Sequence, residues 1–180
     1  MMQFKFEEQR IRLKAAKGET LMSEKPIESA KDAIKLMRDE MITFDREYLI
    51  QINVDYSGRP INYHVASMGD LCRTINPHRA IMSSAMLSDA AGIIVMHNHP
   101  RGTMTMPSDE DVKSVKALEI ACDYMGIEMI DHLIVCDDCP TYSFKMDCYI
   151  DFEKRHPDKL KEWEEYTGIK MTLVSEWLKG

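Results

Sequence analysis

From Glu47 onward the chain alternates. Tyr48, Ile50, Ile52 and Val54 fall on one parity and Glu47, Leu49, Gln51 and Asn53 on the other, which is the period of a β-strand. Asp55-Tyr56-Ser57-Gly58 carries turn residues, and Pro60 to Met68 resumes as a second strand, so the pair predicts a hairpin. Upstream the period is different. Ala30, Ala33, Ile34, Met37 and Met41 recur at helical spacing over Ser29 to Met41, with Ser29 placed to cap the helix. After a loop ending at Pro77, a second helix is expected from His78 to Ser88, offering Ile81, Ala85 and Leu87 for packing.

Ala91 to His97 is a short apolar run rich in β-branched residues, the pattern of a strand buried on both faces. A polar loop leads to Pro107. A long helix follows from Ser108 to Met125, with Val112, Val115, Leu118, Cys122 and Met125 as its inward stripe and Gly126 as its stop. Glu128 to Val135 reads as another strand and Thr141 to Lys145 as its hairpin partner. Strands interleaved with helices predict an α/β domain layered α/β/α. Residues 1–27 read as a polar N-terminal arm, 28–150 as the domain, and 151–180 as a C-terminal helical extension interrupted at Pro157 and Gly168. Phe152, Leu160, Trp163, Tyr166 and Trp177 in that extension are expected to pack on the domain.

Composition narrows the class. Of 180 residues, 44% are hydrophobic and 29% charged, ordinary values for a globular chain long enough to build one core. No apolar run approaches the roughly 20 residues that span a bilayer, and the start, MMQFKFEEQR, has no signal-peptide pattern, so a cytoplasmic protein is expected. A net charge of −7 argues against a general nucleic-acid binder, and Lys5, Arg10, Arg12, Lys14 and Lys17 read as a solvated arm. Five cysteines without a secretion signal suggest free thiols. Cys136 and Cys139 have CxxC spacing, but a structural zinc needs two further ligands and there is no second CxxC, so a turn with two thiols is expected. The methionines read as core filler.

Chemistry concentrates in His97-Asn98-His99-Pro100-Arg101-Gly102 and Pro107-Ser108-Asp109-Glu110-Asp111. Two histidines at i and i+2 on extended backbone point to one side. They stand at the end of a buried strand, where α/β sheets open into a crevice. Ser108 as N-cap places Asp111 at the third helical position, its carboxylate at a helix N-terminus. Two imidazoles and one carboxylate form a three-ligand set that leaves a fourth zinc position open. The imidazoles favour zinc or another transition metal over calcium or magnesium.

This segment resembles the JAMM (MPN+) metal motif in the form seen in RadC-like, UPF0758-type proteins. Agreement extends to Arg46-Glu47-Tyr48, Gly69, Asn76-Pro77-His78-Arg79, and Gly126-Ile127 with Asp131-His132-Leu133-Ile134-Val135, covering roughly residues 28–148. The resemblance implies a JAB/MPN (cytidine-deaminase-like) architecture with a mixed central sheet between helices, and a zinc hydrolase in which His97, His99 and Asp111 are the metal ligands. It implies Ser108 as an oxyanion-stabilising serine and Glu47, which opens the first strand, as the general base. His132 reads as a partner of the metal ligands or as a buried structural histidine, and His64 as structural or exposed. The loop between Pro100 and Ser108 is one residue longer than the usual spacing, and the family's HPRE segment appears as Asn76-Pro77-His78-Arg79. The resemblance does not include the helix-hairpin-helix region that precedes the domain in full-length RadC proteins.

Three functions follow as expectations. The first is a zinc-dependent peptidase or isopeptidase acting on a peptide or protein. The second is a non-catalytic JAB/MPN binding module, against which the intact ligand set argues. The third is a DNA-repair or mobile-element associated protein with weak nucleic-acid association, which the acidic charge weakens.

Overall fold

The computed structural model describes residues 23, 25–69, 77–100, 106–137 and 140–150. The basic residues of the arm, Cys72, Asn76, the loop 101–105, Cys139 and the extension 151–180 lie outside the described residues. The elements run α1 (Ala30–Met41), β1 (Tyr48–Val54), β2 (Pro60–Met68), α2 (Pro77–Leu87), β3 (Gly92–Asn98), α3 (Asp109–Met125), β4 (Glu128–Val135), β5 (Thr141–Ser143) and β6 (Cys148–Ile150). They build one six-stranded sheet in the order β2-β1-β3-β4-β5-β6. The sheet is mixed: β3 and β4 are parallel, joined through α3, and the other neighbours are antiparallel. No described helix is long and apolar enough to cross a membrane.

Two apolar clusters, one on each face of the sheet, make the three layers. Ile50, Ile52, Val54, Ile94, Met96, Leu133 and Val135 turn to one side and pack with Ala33, Ile34, Met37 and Met41 of α1. Leu49, Ile93 and Val95 turn to the other and pack with Ile81 and Ala85 of α2 and Leu118 and Cys122 of α3. Each large apolar side chain buried this way contributes about 1.5–3 kcal/mol relative to an exposed one. Arg38 of α1 is buried, and its Nη2 donates to the carbonyls of Cys136 and Asp137 at 2.9 and 2.8 Å, tying α1 to the end of β4.

The second parity of β1 is buried as well as the first: Gln51 and Asn53 are fully enclosed. They share a side-chain network in which Gln51 Nε2 donates to Asn53 Oδ1, and Asn53 Nδ2 to Asn62 Oδ1 and Ser84 Oγ, at 2.6–3.0 Å, while Gln51 Oε1 has no hydrogen-bond partner among the described residues. That network gives most of the polar strip under α2 its partners. Leu87 and Met125, expected to pack, are 44% and 47% exposed, because each is the last residue of its helix. Ser29 occupies the cap position of α1 but accepts no capping bond; its hydroxyl donates to Asp32 Oδ2 at 2.6 Å. The partner of β4 ends at Ser143 rather than Lys145, and β6, which was not anticipated, follows it. Cys136 is disulfide-bonded rather than a free thiol. Cys122 is free and buried, and burial pushes its thiol up to about 11, with Asp123 and Glu119 adding to the effect.

Candidate metal centre

The site lies where the C-terminal end of β3 meets the first residues of β1 and the N-terminus of α3. β3 is buried along its whole length, which fixes the direction of His97 through the apolar residues on either side. His97 shares the parity of Ile93 and Val95, so its ring points into the layer between the sheet and helices α2 and α3. His99, two residues on, follows the same parity just past the strand end, with its amide donating to Val135 O at 3.0 Å.

Asp111 reaches the same place from α3. Ser108 is the N-cap, and a capping box closes the turn: Ser108 Oγ accepts from the Asp111 amide at 3.1 Å while Asp111 Oδ2 accepts from the Ser108 amide at 2.9 Å. The Ser108 hydroxyl also donates to Asp111 Oδ2 at 2.7 Å. With Oδ2 engaged, Oδ1 is the oxygen turned to the histidines. It lies 3.6 Å from His97 Nε2, and His97 Nε2 lies 3.2 Å from His99 Nε2.

These distances test whether the residues fit a metal ion. Tetrahedral zinc with bonds of about 2.0–2.1 Å sets its ligand atoms about 3.3 Å apart. The two measured separations, 3.2 and 3.6 Å, bracket that value, and the three donor atoms all lie within 4.8 Å of one another. Among the described residues this is the one such group of His, Cys, Asp and Glu donors. The residues expected to be ligands are brought together, and the set fits a metal.

The electrostatics suit a cation as well. Burial holds His97 down to about 4; Asp111 works against that and His99 with it. His97 is therefore neutral at ordinary pH and has a lone pair to offer. Burial works to raise the Asp111 carboxyl, but His97, the Ser108 hydroxyl and amide, and His99 together hold it below the usual carboxylate value. The carboxylate stays ionised.

Behind His97 stands His132 of β4, with its Nε2 2.8 Å from His97 Nδ1 and the two rings edge to face. His132 is buried, and burial pushes its pKa well below the ordinary histidine value. For His97 to turn a bare Nε2 toward a cation, its proton must sit on Nδ1, and His132 Nε2 is the acceptor for it. Its place meets both sequence readings: His132 is a buried, hydrogen-bonded strand histidine, and it stands against a candidate ligand. Neighbouring Asp131 is structural: its carboxylate accepts from Ser143 Oγ, the Lys145 amide and the His132 amide at 2.6–3.1 Å and fastens the turn after β5.

Glu47 and Ser108 line one cavity of about 330 Å³ together with His97, His99 and Asp111. The same cavity has an apolar wall of Leu49, Pro77, Ile81 and Leu118. His78 also faces it and lies 2.8 Å, Nε2 to Oγ, from Ser114 of α3. Ser114 is a wall residue that sequence reasoning did not single out; its only signal is its place three residues after Asp111, on the same helical face. His64 lies partly buried on β2, and burial lowers its pKa.

A three-layer α/β sandwich with two strand-end imidazoles facing a capped carboxylate defines a candidate metal-binding α/β domain. Residues 27–149 match the RadC-like JAB domain, and the chain belongs to that family. It is similar to UPF0758 proteins of several bacteria. It is 38% identical over 109 residues to one from Protochlamydia amoebophila, covering 61% of this chain and 47% of the relative. With one from Caldanaerobacter subterraneus the identity is 34% over 127 residues, covering 71% and 54%. The chain spans about half the length of the curated relatives it matches.

Proposed function

We propose that this chain is a zinc-dependent hydrolase of amide bonds, a peptidase or isopeptidase acting on a peptide or protein. The observation that carries the reading is the convergence of His97, His99 and Asp111 at ligand spacing on the wall of a cavity that also holds Glu47. Two imidazoles with one carboxylate favour zinc over oxygen-seeking cations. A bound zinc would supply Lewis acidity, polarising a carbonyl and acidifying water.

The chain's own groups supply the rest. Glu47 takes a proton from the attacking water as oxygen bonds to the carbonyl carbon, and returns it to the departing nitrogen as the C–N bond breaks. Ser108 holds Asp111 in place, and rotation of its hydroxyl away from Asp111 Oδ2 brings its proton to the oxyanion. The apolar wall of Leu49, Pro77, Ile81 and Leu118 suits an aliphatic substrate segment beside the scissile bond.

The test is a screen of peptide and isopeptide substrates with zinc supplied and with a chelator added. Cleavage should vanish with the chelator and return with zinc. Glu47→Gln should keep its metal and lose about 10²–10⁴ in kcat. Cleavage indifferent to chelation, or full turnover by Glu47→Gln, would overturn the proposal.

A further inference from the structure

The residue between the two histidines has no place in the chemistry above, yet it is 1% exposed and fully engaged. Asn98 Oδ1 accepts from the Tyr48 amide at 2.7 Å, and Asn98 Nδ2 donates to the Arg46 carbonyl at 3.0 Å. The two bonds straddle one residue, Glu47. We propose that Asn98 is a positioning residue for Glu47: its carboxamide clamps the backbone on either side of the base and so fixes the base against the histidines carried by the same strand. The inference rests on the reading of Glu47 as the general base.

The register explains why a side chain is needed there. The β1–β3 ladder ends at the pair Leu49↔His97. Glu47 lies two residues beyond that last rung. On its other side, the Gly69 amide donates to the Glu47 carbonyl at 2.8 Å. Gly69 has φ +105°, which favours glycine, so this contact depends on a special backbone position. Asn98 supplies the matching restraint from β3.

The orientation of the amide is unambiguous, since an N–H must meet the oxygen and a carbonyl must meet the nitrogen. Only a carboxamide offers an acceptor and a donor side by side. Aspartate keeps the first bond and sets a carboxylate against the Arg46 carbonyl. Alanine keeps neither, and glutamine is one methylene too long. His97, Asn98 and His99 thus divide the work: the flanking residues face the metal site and the central one reaches sideways to β1.

The experiment uses the full chain loaded with zinc, comparing wild type, Asn98→Ala, Asn98→Asp and each combined with Glu47→Gln. Asn98→Ala should lower kcat at least 10-fold with KM and zinc affinity within about 3-fold, because a misplacement near 1 Å can cost as much as 10² in rate. In the Glu47→Gln background the same substitution should change kcat less than 2-fold, the non-additivity expected of a residue that acts through another. Amide hydrogen exchange at Tyr48 should accelerate in Asn98→Ala and stay slow in Asn98→Asp. An equal kcat loss in both backgrounds, or a fall in zinc affinity matching the fall in kcat, would overturn the proposal by showing that Asn98 supports the strand or the ligands instead. If wild type cleaves no amide substrate, the reading of Glu47 as base fails separately, and unchanged Tyr48 exchange in Asn98→Ala would still refute the clamp. Should Asn98→Ala not fold, Asn98→Asp carries the kinetic comparison, with a kcat loss confined to the Glu47 background expected and an equal loss in both refuting.

Discussion

Replacing His132 by leucine isolates one hydrogen bond at the metal centre. In the metal-free protein His97 can place its proton on either nitrogen. If His132 is gone, the ring can leave Nδ1 bare and keep its proton on Nε2, and His132 takes with it a buried Nδ1 that has no hydrogen-bond partner among the described residues. The stability of the metal-free protein should therefore change little. Metal binding removes that freedom: the proton is forced onto Nδ1, where a leucine cannot accept it, and a buried unpaired N–H costs about 1–3 kcal/mol. This agrees with the 10–100-fold typical for losing such a partner of a metal ligand, or about 1.4–2.8 kcal/mol. Competition against a chromophoric chelator should show zinc affinity lower by that factor. At a zinc concentration about 100 times the wild-type Kd, binding stabilises the fold by about 2.7 kcal/mol; with a 100-fold weaker site the gain drops to about 0.4 kcal/mol, and the zinc-induced rise in Tm nearly vanishes. His132→Gln, whose amide oxygen can accept the proton, should recover part of the loss. Unchanged zinc affinity in His132→Leu would refute the reasoning.

Two other outcomes follow from the same geometry. Ser108→Ala removes the acceptor for the Asp111 amide and a donor to its carboxylate, so the protein should lose about 1 kcal/mol in denaturant unfolding and bind zinc more weakly; no change in either would reject the coupling of cap and ligand. Asp131 is raised by burial above the ordinary carboxylate value despite its three hydrogen bonds. A raised folded pKa means that its stabilising contribution is complete below the unfolded value and declines as pH rises through the folded one. The stability of wild type relative to Asp131→Asn should fall across that interval, and a difference that rises with pH would show the sign to be wrong.

Much of the frame was legible in the chain alone. Alternation over Tyr48–Val54, the apolar run ending in His97, and helical spacing from Ser108 specify local conformation, because backbone geometry imposes periods of 2 and 3.6 on the direction of successive side chains. The cap at Ser108 was legible for the same local reason, and it places Asp111. Sequence thus set out β3, its two histidines and the carboxylate as separate pieces with the right chemistry.

What it did not contain was adjacency. Residues 47 and 97 share a cavity because β1 lies antiparallel to β3, and His132 meets His97 because β4 lies parallel on β3's other side. The polar parity of β1 is buried because α2 lies over it, and Asn98 reaches Arg46 and Tyr48 because the ladder stops one rung short. A period reports which way a side chain points and nothing of what it meets. That is decided by contacts between segments far apart in the chain, which form only when the whole sheet and its two helical layers close together.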